Sequence, residues 1–216
     1  VQTCALPISA TVLAEGDTLA DTRFIVMDEY LDMTGRWIPA TDPLSFRGHV
    51  FAHLRDPLPE DRRPRIAVPD PADPGAIGRL IAERGGVDVA YAGVGITGHL
   101  AFNDPEPGRD DPDWVATWPT RIVRLLPQTR LINAVTAAGG DVQRIPAMAV
   151  TVGMAEILGA RKLRVWMNRD WQRAVIRRAF CGPVTGAFPA SLVQRHGDVT
   201  LDVTKVVLAP PEPGLR

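Results

Sequence analysis

The run Val87-Asp88-Val89-Ala90-Tyr91-Ala92 passes without a connecting loop into Gly93-Val94-Gly95. No other feature of the chain restricts its fold as strongly. A strand that ends in a glycine turn brings backbone N–H groups close to whatever binds there. In open α/β sheets that place, outside the carboxyl ends of the strands, is where ligands sit. Similar short apolar runs recur: Arg23–Met27 ending at Asp28, the weaker Arg65–Val68, Leu163–Met167, and Val199–Val207 near the end. Helical signals fall between them. Ser45 is placed to cap a helix through Phe46, Val50, Phe51 and Leu54, and Ala76–Arg84 reads as a helix stopped by Gly85-Gly86. Met148–Val152 leads into a helix around Met154, Ile157 and Leu158, and Trp171–Phe180 is a further helix. This alternation predicts one α/β domain: a doubly wound, mostly parallel, Rossmann-like sheet flanked by helices.

Composition narrows the partners. The 216 residues carry 24 basic and 25 acidic side chains, a formal net charge of −1, which gives no reason to expect nucleic acid or an anionic membrane. No apolar run approaches the roughly 20 residues of a membrane-spanning helix, and no secretory signal opens the chain. Cys4 and Cys181 form neither a metal spacing nor a disulfide framework, so a reducing cytoplasm is the expected compartment. Asp110, Asp111 and Asp113 lack the glycine and terminal Glu of a calcium loop and read as a solvated turn. His49 and His53, four apart on a helix, have no third ligand nearby. No metal or cofactor is expected. The tryptophans Trp114, Trp118, Trp166 and Trp171 are expected to pack against the core and loop edges.

The glycine turn continues as Gly93-Val94-Gly95-Ile96-Thr97-Gly98-His99-Leu100-Ala101-Phe102-Asn103-Asp104-Pro105. It lacks the third glycine and helix opening of a dinucleotide-binding fingerprint. A lone histidine on a loop is structural by default, but the whole string is far more specific. It resembles the glucosamine-6-phosphate deaminase motif Gly-x-Gly-x-(Asp/Asn)-Gly-His-(Ile/Leu)-Ala-Phe-Asn-(Glu/Asp)-Pro. Met27-Asp28-Glu29-Tyr30, Ser45-Phe46, Thr151-Val152-Gly153, Gly182-Pro183-Val184 and Pro189–His196 extend the likeness, from about Ala10 to near Thr204. The related 6-phosphogluconolactonases match less well, because they lack the Ala-Phe-Asn-Asp-Pro continuation.

The resemblance implies an aldose–ketose isomerisation of a hexosamine 6-phosphate with loss of ammonia. A carboxylate suits the proton transfer between C2 and C1, being ionised near neutral pH unless strongly perturbed. The family's base maps onto Asp28, its ring-opening histidine onto His99, and the acid that tunes the histidine onto Asp104. Thr97 stands where the family has Asp or Asn, and supplies a hydroxyl in place of a carboxylate. Gly93, Gly95, Gly98 and Asn103 are expected to contact substrate. Glu29 is a substrate contact or a structural group pointing away from Asp28. The family's phosphate-binding lysine aligns with Gln172, with Arg173 beside it, and a phosphate-contacting arginine aligns with Val135. Arg173 is the expected replacement, since a guanidinium binds phosphate bidentately. Arg121 and Arg130 are weaker candidates, and Arg177-Arg178 reads as an exposed helix face.

Val1–Ser9 back-translates in one reading frame to GTT CAG ACG TGT GCT CTT CCG ATC T, the end of a widely used sequencing adapter, and is expected to be a translation artefact. The domain proper is expected over 10–216, incomplete at its N-terminus, with the first strand and the Gly-Gly-Thr phosphate loop missing. The expected partner is a small sugar phosphate; a homo-oligomer is compatible with the sequence. Two alternatives stand beside the deaminase: a lactonase-like hydrolase, and a non-catalytic sugar-phosphate sensor, which this fold also provides when attached to a DNA-binding module.

Overall fold

A computed structural model describes residues 18–212. Val1–Ser9, with Cys4, and the expected beginning of the domain lie outside the described residues.

The fold is α/β, with parallel strands flanked by helices as the alternation predicts. β1 (Arg23–Ile25) pairs in parallel with β3 (Arg65–Ala67). β4 (Val89–Gly93), β7 (Lys162–Met167) and β8 (Val199–Val203) form a parallel sheet in the order 4-7-8. A third sheet departs from the sequence expectation: β2 (Asp28–Leu31), β6 (Met148–Thr151) and β5 (Arg121–Arg124) run antiparallel in the order 2-6-5. Arg-Ile-Val-Arg is too short and too charged at its ends to read as a strand, and pairing with β6 supplies what local propensity does not.

The single strand expected up to Asp28 is in fact broken. Val26 donates its N–H to the Ala67 carbonyl, still beside β3, whereas the Met27 carbonyl accepts from Val152 N at 2.7 Å. The chain changes sheets between these two residues. Asp28 therefore starts β2, directly opposite Thr151. The expected strand Val199–Val207 also ends early, at Val203, where Thr204 leads into the helix α7 (Lys205–Leu208).

Around the sheets lie α1 (Phe46–Val50), continued by a π-helical turn over Phe51–Arg55, α2 (Ala76–Glu83), α3 (Pro112–Ala116), α4 (Pro127–Ala137), α5 (Met154–Leu158) and α6 (Gln172–Cys181). α2 ends where Gly85 takes a left-handed φ of 75°. Two buried clusters result. One, with Leu100, Met154, Leu163 and Val165, packs α5 and α6 on the parallel sheet. The other, with Tyr30, Phe102, Leu125 and Ala149, lies beneath the antiparallel sheet. The glycine loop after β4 runs along the seam, since Leu100 belongs to the first cluster and Phe102 to the second. Among the described residues no helix is long and apolar enough to cross a membrane.

Glu29 anchors this second layer. It is fully buried, its Oε2 accepts from the Ser45 hydroxyl at 2.7 Å and from Arg47 N at 3.0 Å, and its Oε1 accepts from Phe46 N and from Tyr30 N. Ser45 in turn accepts from Gly48 N, which makes it the cap of α1 as expected. Glu29→Ala is expected to cost about 3 kcal/mol, because several buried donors lose their acceptor; urea unfolding measures it.

Candidate functional site

A cavity of ≈ 800 Å³ opens at the carboxyl ends of the parallel strands, lined by Asp28, Gly93–Gly95, His99, Asn168, Arg169 and Thr204 among others. A smaller cavity of ≈ 500 Å³ beside Pro105–Asp110 and Leu126 contains neither Asp28 nor His99.

Asp28 is 9% exposed. Its Oδ1 accepts from the Thr151 hydroxyl at 2.5 Å and from Phe102 N at 3.0 Å. The donor at Phe102 follows Ala101, which holds a left-handed φ of 52°, a strained setting for a residue with a Cβ. Oδ2 makes no hydrogen bond among the described residues and is left to the cavity. Burial pushes the carboxyl up to about 7, against the Thr151 bond, the charge His99 carries when protonated and the Phe102 N–H, all of which favour the ionised form.

His99 is 7% exposed, with Nδ1 2.8 Å from Asp104 Oδ1. The same oxygen accepts from the Thr97 hydroxyl at 2.7 Å and the Thr129 hydroxyl at 2.6 Å, while Oδ2 accepts from Leu126 N at 3.1 Å. Burial alone would raise the carboxyl of Asp104, but the bonds from His99, Thr129 and Thr97 outweigh it and hold the group below the usual range. An ionised acceptor places the histidine proton on Nδ1, an assignment made from the network. Nε2 is then the lone-pair nitrogen, with no hydrogen bond among the described residues. It lies beside Gly95, where a Cβ would overlap the imidazole ring.

Gly98, with φ 81°, gives way in the same manner to the Phe188 ring. Neither it nor Asn103 lines the cavity. Asn103 is fully buried, donates to the carbonyls of Leu100 and Val152, and accepts from Arg121 at 2.6 Å. Glu29 is likewise turned away, held at α1. Gln172 reaches the cavity wall, but its amide is occupied: Oε1 accepts from the N–H groups of Asn168 and Arg169, and Nε2 donates to the Val94 carbonyl at 2.8 Å. Arg173 does not line the cavity, and its Nε is buried with no hydrogen-bond partner among the described residues. Arg130 is tied to the Ile145 and Val142 carbonyls. Among the described residues that line the cavity the one arginine or lysine is Arg169, to which no sequence signal points. Thr129 and Asn133, one helical turn apart on α4, are likewise absent from the sequence expectation; Asn133 lines the cavity and donates to the Tyr30 hydroxyl. A threonine two residues after a helix-opening proline is the only local sign of the first. Trp114 and Trp118 pack edge to face, as expected, whereas Trp166 is 46% exposed on the cavity wall.

A scan of protein-family models matches none to this chain. A glucosamine-6-phosphate deaminase of Geobacillus sp. (strain WCH70) is 29% identical over 204 residues, which are 91% of this chain and 76% of that protein. Many further curated relatives carry the same name, among them proteins of Lachnoclostridium phytofermentans and Bacillus velezensis. The chain is similar over most of its length to proteins named glucosamine-6-phosphate deaminase. A solved monomeric glucosamine-6-phosphate deaminase of the NagB superfamily shares the fold, with a TM-score of 0.77, 24% identity, and coverage of 93% of this chain and 80% of that one. The 6-phosphogluconolactonase of Trypanosoma brucei superposes less well, at a TM-score of 0.57 and 19% identity over 87% of this chain and 74% of that one. Gly95 of the motif makes room for the imidazole on the cavity wall. Gly95→Ala is expected to displace the His99 ring and lower turnover by about 100-fold, the scale of a lost acid–base group, with the circular dichroism spectrum unchanged.

Proposed function

We propose that the protein converts a hexosamine 6-phosphate, glucosamine 6-phosphate first among the candidates, to the ketose 6-phosphate and ammonia. One observation carries this reading. Asp28 and His99 each have one atom fixed by the protein and the other, Oδ2 or Nε2, left to the same cavity. That is the arrangement an acid–base pair needs. The similarity to named deaminases supports it.

In this scheme Nε2 of His99 takes the proton from the anomeric hydroxyl and delivers it to the ring oxygen, opening the sugar. Oδ2 of Asp28 removes the C2 proton and returns it to C1. As the C2 proton leaves, the C2 ammonium gives up one proton and O1 gains one, forming an enolamine. Return of the proton to C1 makes the C2 nitrogen an iminium, and water hydrolyses it to the ketone, releasing the nitrogen as ammonium. Thr151 and the Phe102 N–H hold the carboxylate in place, and Asp104 with Thr97 fixes the histidine tautomer. With a pKa of about 7, Asp28 is a stronger base than an exposed carboxylate and still substantially ionised at neutral pH. Arg169 serves as the phosphate contact, in place of the neutral Gln172 and the aliphatic Val135.

Asp28→Asn keeps an oxygen for Thr151 and Phe102 and removes the base. Turnover of glucosamine 6-phosphate is expected to fall about 10²–10⁴-fold; near-normal turnover would exclude Asp28 as the base. The kcat of the parent is expected to rise with pH through about 7 as Asp28 ionises. The stability sign is the reverse. A folded-state pKa of about 7, above the roughly 3.9 of an unfolded chain, means that ionisation disfavours the folded state as pH rises between those values. The Tm of Asp28→Asn relative to the parent is therefore expected to increase across that window, measured by thermal denaturation at a series of pH values.

Arg169→Ala is expected to raise KM for glucosamine 6-phosphate about 10-fold or more, as loss of a charge-assisted phosphate contact does, and to leave binding of unphosphorylated glucosamine unchanged. Assay on 6-phosphogluconolactone in parallel separates the hydrolase alternative, which requires turnover of the lactone and none of the amino sugar.

A further inference from the structure

We propose that Thr129 is a positioning residue for His99, acting through Asp104; this rests on the reading of His99 as the ring-opening group. Thr129 is fully buried on the first turn of α4, and its hydroxyl is 2.6 Å from Asp104 Oδ1 and 3.3 Å from His99 Nδ1. The second distance is not a competing bond. The Thr129 hydroxyl and the Nδ1–H both donate to the one carboxylate oxygen, which brings their own heavy atoms together.

The need for such a group follows from which element each donor belongs to. Thr97 and His99 sit on the same loop as Asp104 and move with it. Bonds among these three fix their mutual geometry and leave the group free to shift against the rest of the protein. Thr129 and Leu126 N belong to the start of α4, and together they hold both carboxylate oxygens from outside the loop. α4 is itself fixed, by Arg130 donating to the Ile145 carbonyl at 2.9 Å and to Val142 at 3.1 Å, and by the fully buried Ala134. Thr129 is thus the side chain through which the second core sets the direction of the imidazole. A carboxylate held in this plane keeps the histidine proton on Nδ1 and the Nε2 lone pair on the cavity. With the hydroxyl gone, Oδ1 loses an external donor, the carboxylate turns about its last bond, and the imidazole is no longer restricted to one tautomer.

The test uses Thr129→Val, which removes the hydroxyl at nearly constant shape, and Thr129→Ser, which keeps it. Two quantities are read on the full chain: the His99 tautomer, from NMR of the imidazole nitrogens with the signal assigned by its loss in His99→Asn, and the kinetics on glucosamine 6-phosphate. In the parent the Nδ1–H form is expected alone. In Thr129→Val a mixture is expected, with kcat lower by about 10–100-fold, part of what an orienting acid–base partner supplies, and KM within about twofold. Thr129→Ser is expected to restore both. Thr129→Ala carries the same test if the valine variant does not fold. An unchanged tautomer and kcat in the hydroxyl-free variant overturns the proposal, and so does a serine variant that fails to recover. If the parent turns over no amino sugar, the proposed reaction falls, while the tautomer measurement still decides the role of Thr129.

Discussion

The junction of Asp28, Thr151 and Phe102 N holds the molecule's parts in relation. Asp28 opens β2, Thr151 closes β6, and Phe102 lies on the loop that leaves β4. The Phe102 N–H donates to both side chains and so joins the antiparallel sheet to the glycine loop of the parallel one, while the Thr151 hydroxyl donates to Asp28 within the sheet. The junction buries a carboxylate, which is costly unless its oxygens find donors. Here one oxygen is served twice and the other is left to the cavity. The raised pKa of Asp28 records that partial compensation. Full compensation would make a quieter, more stable residue and a poorer base.

The two halves of the site are built by opposite electrostatic means. Asp28 is pushed up by burial with few donors, whereas Asp104 is pulled down by His99, Thr129 and Thr97. Each setting suits the chemistry proposed for it. One group gains and loses a proton near neutrality, and the other stays ionised to hold a tautomer. Thr97 fits the second arrangement without a charge of its own, because its hydroxyl both donates to Asp104 and lies 2.8 Å from His99 Nδ1. Where the deaminase pattern has Asp or Asn, this chain therefore keeps a hydrogen-bonding group beside the histidine that carries no charge.

The departure at Gln172 is of another kind. Its neutral amide ties the turn after β7 to the Val94 carbonyl, so that position contributes rigidity and no charge. The arginine on the cavity wall lies three residues earlier, on the same turn. Matching by residue type points to Arg173 because it is adjacent in sequence. The start of a helix, however, turns neighbouring side chains in different directions, and Arg169, ahead of the helix, is the one that reaches the cavity.

The sequence by itself determined the α/β class, the Ser45 cap, the placement of the glycine loop at a strand's carboxyl end, and Asp28, His99, Thr97 and Asp104 as the candidate chemical groups. These are local signals: periodicity, turn residues and one contiguous motif. Only the tertiary structure decided that β2, β5 and β6 form an antiparallel sheet, because β5 is too short to be recognised without its partner. It also decided that Glu29, Asn103 and Gly98 serve the framework, that Gly95 makes room for His99, and that Thr129 and Arg169 stand at the site while Val135 and Gln172 offer it no charge. Thr129 meets Asp104 from 25 residues away, and Thr151 meets Asp28 from 123. Contacts at such separations are set by how whole elements pack, and no window of sequence contains both partners.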